Sequence, residues 1–260
     1  MFIQNIEELY RFRGLLWVWA LREIRVRYKQ SILGGIWAIL QPFLTMLIFT
    51  LIFGVIIKVP TDGIPYPVFF YSALLPWTFF SSSISFAVPS LTNNINLVTK
   101  IYFPREIFPI GSIIAAFMDF IVAFIFFLVL LIIYQVPIRS SIIYFPVLLA
   151  MQILLTLGIS FLGAALIVSY RDIRFIVPLG LQLWMYITPV VYPLSLVPEH
   201  LRLFYMLNPM AGIIDGYRSI LLGKMPQWEY LALETVIIVA LFTFGYIYFK
   251  NKEASFADII

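Results

Sequence analysis

The sequence predicts an all-α integral membrane protein, and three observations carry that prediction. Of 260 residues 62% are hydrophobic and 12% charged, with mean hydropathy +0.99, far outside the range of soluble globular domains. Six stretches with few or no charges reach the roughly 20 residues needed to cross a hydrocarbon core about 30 Å thick. None has the polar-apolar alternation of a membrane barrel strand.

Residues 1–35 lie outside the spans. On a helix turning about 100° per residue, Trp17, Ala20, Leu21, Ile24 and Tyr28 share one side, while Arg22, Arg25 and Lys29 share another. The expectation is an interfacial helix, its apolar side in the acyl boundary and its cations among lipid phosphates. The spans are placed at 36–57, 66–91, 107–134, 142–169, 175–194 and 231–249. The second, third and fourth exceed a span's length, which implies tilt or protruding ends. Glu234 sits in the last one.

Between the second and third spans runs TNNINLVTKIYFPREIFPI, Thr92 to Ile110. Asn93, Asn94 and Asn96 are candidate caps for a short helix through Ile95, Val98, Lys100 and Tyr102, which Pro104 would stop. Such a helix is a suitable handle for a partner protein, but composition alone favours a plain connector whose Lys100 and Arg105 set topology. The next turn, with Arg171, Asp172 and Arg174, also reads as a topology signal.

The segment from Tyr186 to Gly223 is too apolar for a watery loop and too broken for one span. Pro189, Pro193, Pro198 and Pro209 each remove a backbone donor, and Gly212, Gly216 and Gly223 add interruptions. Irregular backbone at membrane depth survives only when protein or a water-filled cavity covers it, so the segment points to a pathway.

Cation placement orients the bundle. Twelve of the 17 Lys and Arg residues fall on one side of the six spans and five on the other, which puts the larger set and both termini in the cytoplasm. The first long apolar run begins near Ile36, and that span is expected to direct insertion. With no cysteine and a single histidine, His200, the chain offers neither disulfides nor a thiolate or His-rich metal site.

Asp119 is the carboxylate placed far from any span end, where an ionised group costs about 2.5–3.5 kcal/mol, so it must face protein or water. It is either a functional site or a polar contact joining the third span to a neighbour. Pro42, Pro76, Pro89, Pro178 and Pro189 permit kinks. Aromatics, 18% of the chain, form interface belts and packing, with a minority expected along a path, where rings stack on sugars. No phosphate-binding G-x-x-x-x-G-K-[ST] loop, HExxH site or G-x-S-x-G elbow occurs. A lipid-modifying enzyme would have to rely on Glu199, His200 and Asp215, yet Asp215 and Arg218 are spaced to pair on one helix.

The runs LREIRVRYKQSILGGIWAILQPFLTMLIFTLIFG (Leu21 to Gly54), NLVTKIYFPREIFPI, and TPVVYPLSLVPEHLRLFYMLNPMAGIIDGYRSILLG (Thr188 to Gly223) together resemble the membrane subunit of ABC exporters for polysaccharides. O-antigen exporters are most similar, and teichoic acid exporters share much of the pattern. The likeness extends from about residue 10 to 250 and implies a single permease domain over 1–260 with an interfacial helix in 1–35, spans 1–5 over 36–194, a coupling loop at 92–106, outer gate helices at 195–230, span 6 at 231–250 and a cytoplasmic tail at 251–260.

By that resemblance two copies of the chain join two copies of a separate ATP-hydrolysing subunit in the plasma membrane. ATP and Mg belong to the partner, no cofactor to this chain, and no nucleic acid is involved. The cargo is an undecaprenyl-diphosphate-linked polysaccharide, O-antigen or else teichoic acid or capsule. Arg22, Arg25, Arg27 and Lys29 are candidates to guide the lipid diphosphate, or to anchor ordinary anionic lipid. Tyr66, Phe70, Trp77, Phe80, Tyr186 and Tyr192 are candidates to line the channel. Asn96, Lys100, Ile101, Tyr102, Phe103 and Arg105 are assigned to partner coupling, and Leu201, Phe204, Tyr205, Asn208, Pro209, Asp215 and Arg218 to the outer gate. An ion-coupled transporter would need more intramembrane charge than Asp119 provides.

Overall fold

A computed structural model describes residues 2–61 and 63–256, so the last four residues of the expected tail lie outside the described residues. Among the described residues all regular structure is helical. The helices are α1 (Phe2–Arg11), α2 (Arg13–Tyr28), α3 (Trp37–Phe49), α4 (Tyr66–Ala87), α5 (Ile95–Lys100), α6 (Ile107–Ile133), α7 (Phe145–Ser169), α8 (Ile173–Tyr186), α9 (Glu199–Tyr205), α10 (Pro209–Leu221) and α11 (Trp228–Glu253). Four helical stretches, Gly34–Ile56, Ile107–Ile133, Ser140–Ser169 and Trp228–Glu253, are long and apolar enough to cross a bilayer, as befits a multi-pass membrane protein. The first continues α3 through π-helical turns at Thr50–Ile56.

The other two expected spans take different forms. α4 has 22 residues, a rise of roughly 33 Å, but its serines and Thr78 dilute its apolar character. α8 stops at Tyr186 after 14 residues, a rise of roughly 21 Å that falls short of the hydrocarbon core. The cause is local. Beyond Tyr186 the backbone turns through Pro189, and side chains rather than helix amides take up the next carbonyls.

α4 is the centre of the bundle, packed by α3, α6, α7, α8 and α10. Its rings interlock with those neighbours: Phe70 stacks on Phe49 at 4.7 Å, and Phe80 meets Trp184 edge-on at 5.2 Å. A buried amide adds a polar tie, since Gln152 Nε2 on α7 donates to the Pro76 carbonyl at 2.7 Å and its Oε1 accepts from the Tyr217 hydroxyl at 3.0 Å. One side chain thus holds α4, α7 and α10, with both ends of its amide satisfied.

α7 and α11 form the most extensive helix pair. Close approach is possible because Gly158 and Gly245 face each other; a Cβ on Gly245 would strike the Gly158 carbonyl oxygen.

α2 lies along α6. Trp19 packs edge-on to Phe108 at 4.8 Å, over the space left by Gly111, and Ala20 is buried. The expected apolar side of α2 is therefore covered partly by protein instead of lipid, while Trp17, expected on that side, is 54% exposed. Trp19 and α6 compete successfully for that surface because a large ring fits the notch beside a glycine.

Candidate functional site

A cleft of about 530 Å³ opens between α2, α3, α4 and α6. Its polar wall comes from α4, where Thr78, Ser81, Ser82 and Ser85 recur at i, i+3, i+4 and i+7 and so share one face. The rest of α4 from Val68 to Trp77 is buried, so these hydroxyls are where the helix meets open space. Thr78 donates to the Leu75 carbonyl at 2.9 Å and Ser81 to the Thr78 carbonyl at 3.4 Å. A hydroxyl whose proton is spent on the helix presents acceptor lone pairs to the cleft. Gln41 and Thr45 of α3 add polar groups opposite, and Trp37, Phe79, Phe86 and Phe120 supply apolar walls.

At one end of the cleft α2 meets α6 through charge. Arg27 Nη1 pairs with Asp119 Oδ2, and the Tyr28 hydroxyl donates to Asp119 Oδ1 at 2.6 Å. Burial and the adjacent carboxylate push the Tyr28 hydroxyl above its ordinary pKa, which keeps it a donor. The Arg27 guanidinium also lies 4.1 Å from the Phe86 ring centroid. Asp119 therefore makes the polar contact that joins the third span to a neighbour, and it also lines the cleft.

The other basic residues of α2 diverge. Arg22 covers the Trp19 ring at 4.3 Å and bonds Glu23 at 3.3 Å and Asn94 at 3.2 Å. Arg25 and Lys29 are exposed, and of the four basic candidates Arg27 is the one on the cleft wall.

In the loop after α4 a short helix, α5, does form, but it ends at Lys100 with Ile101 already extended, so it stops short of the expected Tyr102, and Asn94 gives it no side-chain cap. Ile101 and Tyr102 protrude, Tyr102 at 83% exposure, and Asn96 and Lys100 are exposed. Phe103 does not protrude: at 6% exposure it packs on Phe108 at 5.3 Å. Nor does Arg105 reach outward; its guanidinium donates to the Ile101 carbonyl and its backbone N–H to Glu253 Oε1, both at 2.9 Å. Lys250 Nζ contacts Glu106 Oε1 at 2.8 Å and Glu253 Oε2 at 2.5 Å. Burial pushes the Glu106 carboxyl up, against the pull of Lys250. This network fastens the loop to the end of α11, and sequence spacing does not reveal it because Arg105 and its partner Glu253 lie 148 residues apart.

The broken segment is organised by two side chains. Arg218 on α10 donates to the carbonyls of Pro189, Val190 (2.6 Å) and Tyr192 (3.0 Å) and lies over the Phe69 ring, while Tyr66 takes the Val191 carbonyl at 3.2 Å. Asn208 accepts from Trp184 Nε1 at 2.7 Å and from Met210 N at 3.2 Å, capping α10, and donates to Thr188 Oγ1 at 2.9 Å. Tyr192 and Tyr205 join hydroxyls at 2.5 Å. Leu201 and Phe204 are exposed, Pro209 is buried, and Asp215 is half-buried. Fully buried Glu234 of α11 accepts from Gly212 N at 2.8 Å, joining α11 to the first turn of α10. Of the six aromatics expected along a channel, Tyr66, Phe70, Trp77 and Phe80 are buried within the chain, Tyr192 is half-buried, and Tyr186 is exposed. A spacing pattern marks rings on one helix but not which side of that helix neighbours will cover.

Among the described residues no cluster of three or more His, Asp or Glu suited to a metal occurs.

Comparison with known proteins agrees with this architecture. Residues 14–222 match the family described as ABC-2 type transporter. The chain is 34% identical, over 99% of its length and 100% of the relative's, to a Myxococcus xanthus protein named O-antigen export system permease protein RfbA. It is 28% identical to a Klebsiella pneumoniae protein of the same name, with 92% of each covered, and 28% identical to the Escherichia coli polysialic acid transport protein KpsM, over 90% of the chain and 92% of the relative. By this match the all-helical, cleft-bearing chain belongs to the ABC-2 type transporter family of membrane proteins.

Proposed function

We propose that the chain is the permease subunit of an ATP-driven exporter of lipid-linked polysaccharide. The observation that carries this is the full-length likeness to a permease named for O-antigen export. In this reading two copies assemble with two ATP-hydrolysing subunits, each copy crosses the plasma membrane six times, with α4 and the combination of α8 and the broken segment that follows it completing the set, and both termini are cytoplasmic. ATP and Mg reside on the partner.

Ile101 and Tyr102, exposed beside the anchored Phe103 and Arg105, receive the partner's stroke. Arg105 and Glu106 pass it to α11 through Lys250 and Glu253. α11 in turn holds α10 through Glu234, so the stroke reaches the broken segment, which acts as an outer gate. The hydroxyl face of α4 meets the polar cargo.

The test is co-expression with an ATPase subunit in cells that make polymer but lack an exporter. Surface polymer that requires both subunits and ATP hydrolysis is the expected result. Polymer that stays inside when the assembled complex is present would refute the proposal.

A further inference from the structure

We infer that the cavity between α4, α6, α10 and the loop before α7 holds one acyl chain of an anionic membrane phospholipid, whose phosphate meets Arg139 at the mouth. The inference needs the membrane setting of the chain and not the export reading.

The cavity measures about 230 Å³ and shares a single lining residue, Phe120, with the hydroxyl-lined cleft. The Phe145 ring bridges its two sides, 5.1 Å from Phe124 of α6 and 5.5 Å from Tyr217 of α10 by centroid. Apart from Arg139, the polar side chains on the wall are Ser72 and Tyr217. Both commit their proton within the bundle, Ser72 to the Phe69 carbonyl at 2.8 Å and Tyr217 to Gln152 Oε1 at 3.0 Å. A buried water needs several polar partners, so this cavity stays dry, and an apolar void of roughly 150 Å³ already takes up benzene.

The membrane decides which apolar molecule enters. Lipid tails are as apolar as the wall, so the hydrophobic effect does not draw a chain in; what favours it is dispersion contact with atoms that otherwise face a void. The opening is on the lipid side. Leu128 lines the cavity and shares a helical stripe with the exposed Ile121, Ile125 and Ile132, and Ile138 and Ile142 on the wall are exposed too.

Arg139 selects the headgroup. No acidic side chain lines the cavity, so its mouth is positive, and a phosphodiester beside a guanidinium at the polar boundary satisfies both. The arginine is held close to α10: Ser141 Oγ donates to the Ile220 carbonyl at 2.5 Å, and the Arg139 side chain passes over Gly223 (φ +73°), where a Cβ would strike its Cδ. On the topology proposed above the mouth lies in the outer leaflet. A chain seated there touches α6 and α10 at once and braces α10 against the bundle.

The test is native mass spectrometry of the full-length chain released from nanodiscs of equal phosphatidylglycerol and phosphatidylcholine, counting lipids that survive collisional activation. Wild type should keep one lipid per chain and prefer phosphatidylglycerol about fivefold, the worth of one cation beside an anionic lipid. Arg139→Gln should abolish the preference while a lipid is still held, and Arg139→Lys should keep it. Leu128→Trp, whose ring fills the cavity, should lose the lipid whichever headgroup is offered. Ile142→Trp, at the exposed mouth, should do the same and guards against misfolding of the Leu128 variant. Phosphatidylglycerol added to delipidated protein should raise the melting temperature of wild type and of neither Trp variant.

The inference is overturned if wild type keeps no lipid or holds the two headgroups equally. It is equally overturned if either Trp variant, shown folded by a cooperative melt, keeps as much lipid as wild type, since the retained lipid is then only annular.

Discussion

Replacing Gly158 with alanine should push α7 and α11 apart. A Cβ built there lies 2.6 Å from the Phe242 Cα and 2.8 Å from its backbone nitrogen, whereas ordinary contact begins at 3.4 Å. The 0.8 Å shortfall is against backbone, which no rotamer change relieves. Overpacking of this kind costs about 1–3 kcal/mol. Alanine also gains about 1 kcal/mol of helix propensity, which blurs the absolute value. Gly180 of α8 supplies the control, since a Cβ there meets nothing within 4 Å and the propensity gain is shared. The difference between the two variants isolates the clash. At about 2–4 °C per kcal/mol for chains near this size, Gly158→Ala should melt roughly 5 °C below Gly180→Ala. Intrinsic tryptophan fluorescence of the detergent-solubilised permease at one scan rate reads this directly. Equal shifts for the two substitutions would refute the close packing of α7 on α11.

Other substitutions probe the remaining contacts. Phe103→Ala should cost about 3–5 kcal/mol as a core truncation, while Tyr102→Ala should leave melting unchanged but reduce ATPase co-purification; the reverse pattern would contradict the placement of these rings. Asn208→Ala removes the α10 cap and the bonds to Trp184 and Thr188, with an expected loss of about 1–3 kcal/mol and increased proteolysis between α9 and α10. Glu234→Gln retains an acceptor for Gly212 N and should melt near wild type, whereas Glu234→Ala should lose about 1–3 kcal/mol; equal losses would show that the hydrogen bond is not what matters there.

Much was legible in the chain because a bilayer imposes strict demands on composition. Long apolar runs, the clustered cations and the Pro-Gly interruptions are local, and they led to a helical membrane protein with a broken segment between Tyr186 and Gly223, where α9 and α10 do form as separate short helices. The short helix after Asn94 was readable for the same reason, although it ends at Lys100 rather than reaching Tyr102. Side-chain partners across the bundle were not. Phe103 looks no different in sequence from Tyr102, yet Phe108 covers one ring and leaves the other in the open.

The hydroxyl pattern at Thr78, Ser81, Ser82 and Ser85 was a signal present in the sequence and overlooked beside the surrounding aromatics. The sequence by itself determined the solvent this chain must live in, because transfer free energy sums over residues whatever their partners are. Only the tertiary structure decided that Arg27 meets Asp119, that Arg218 secures the turn at Pro189 and that Glu234 meets Gly212. Those contacts depend on helix rotation and close approach, which are set by the packing of all the helices together rather than by any one of them.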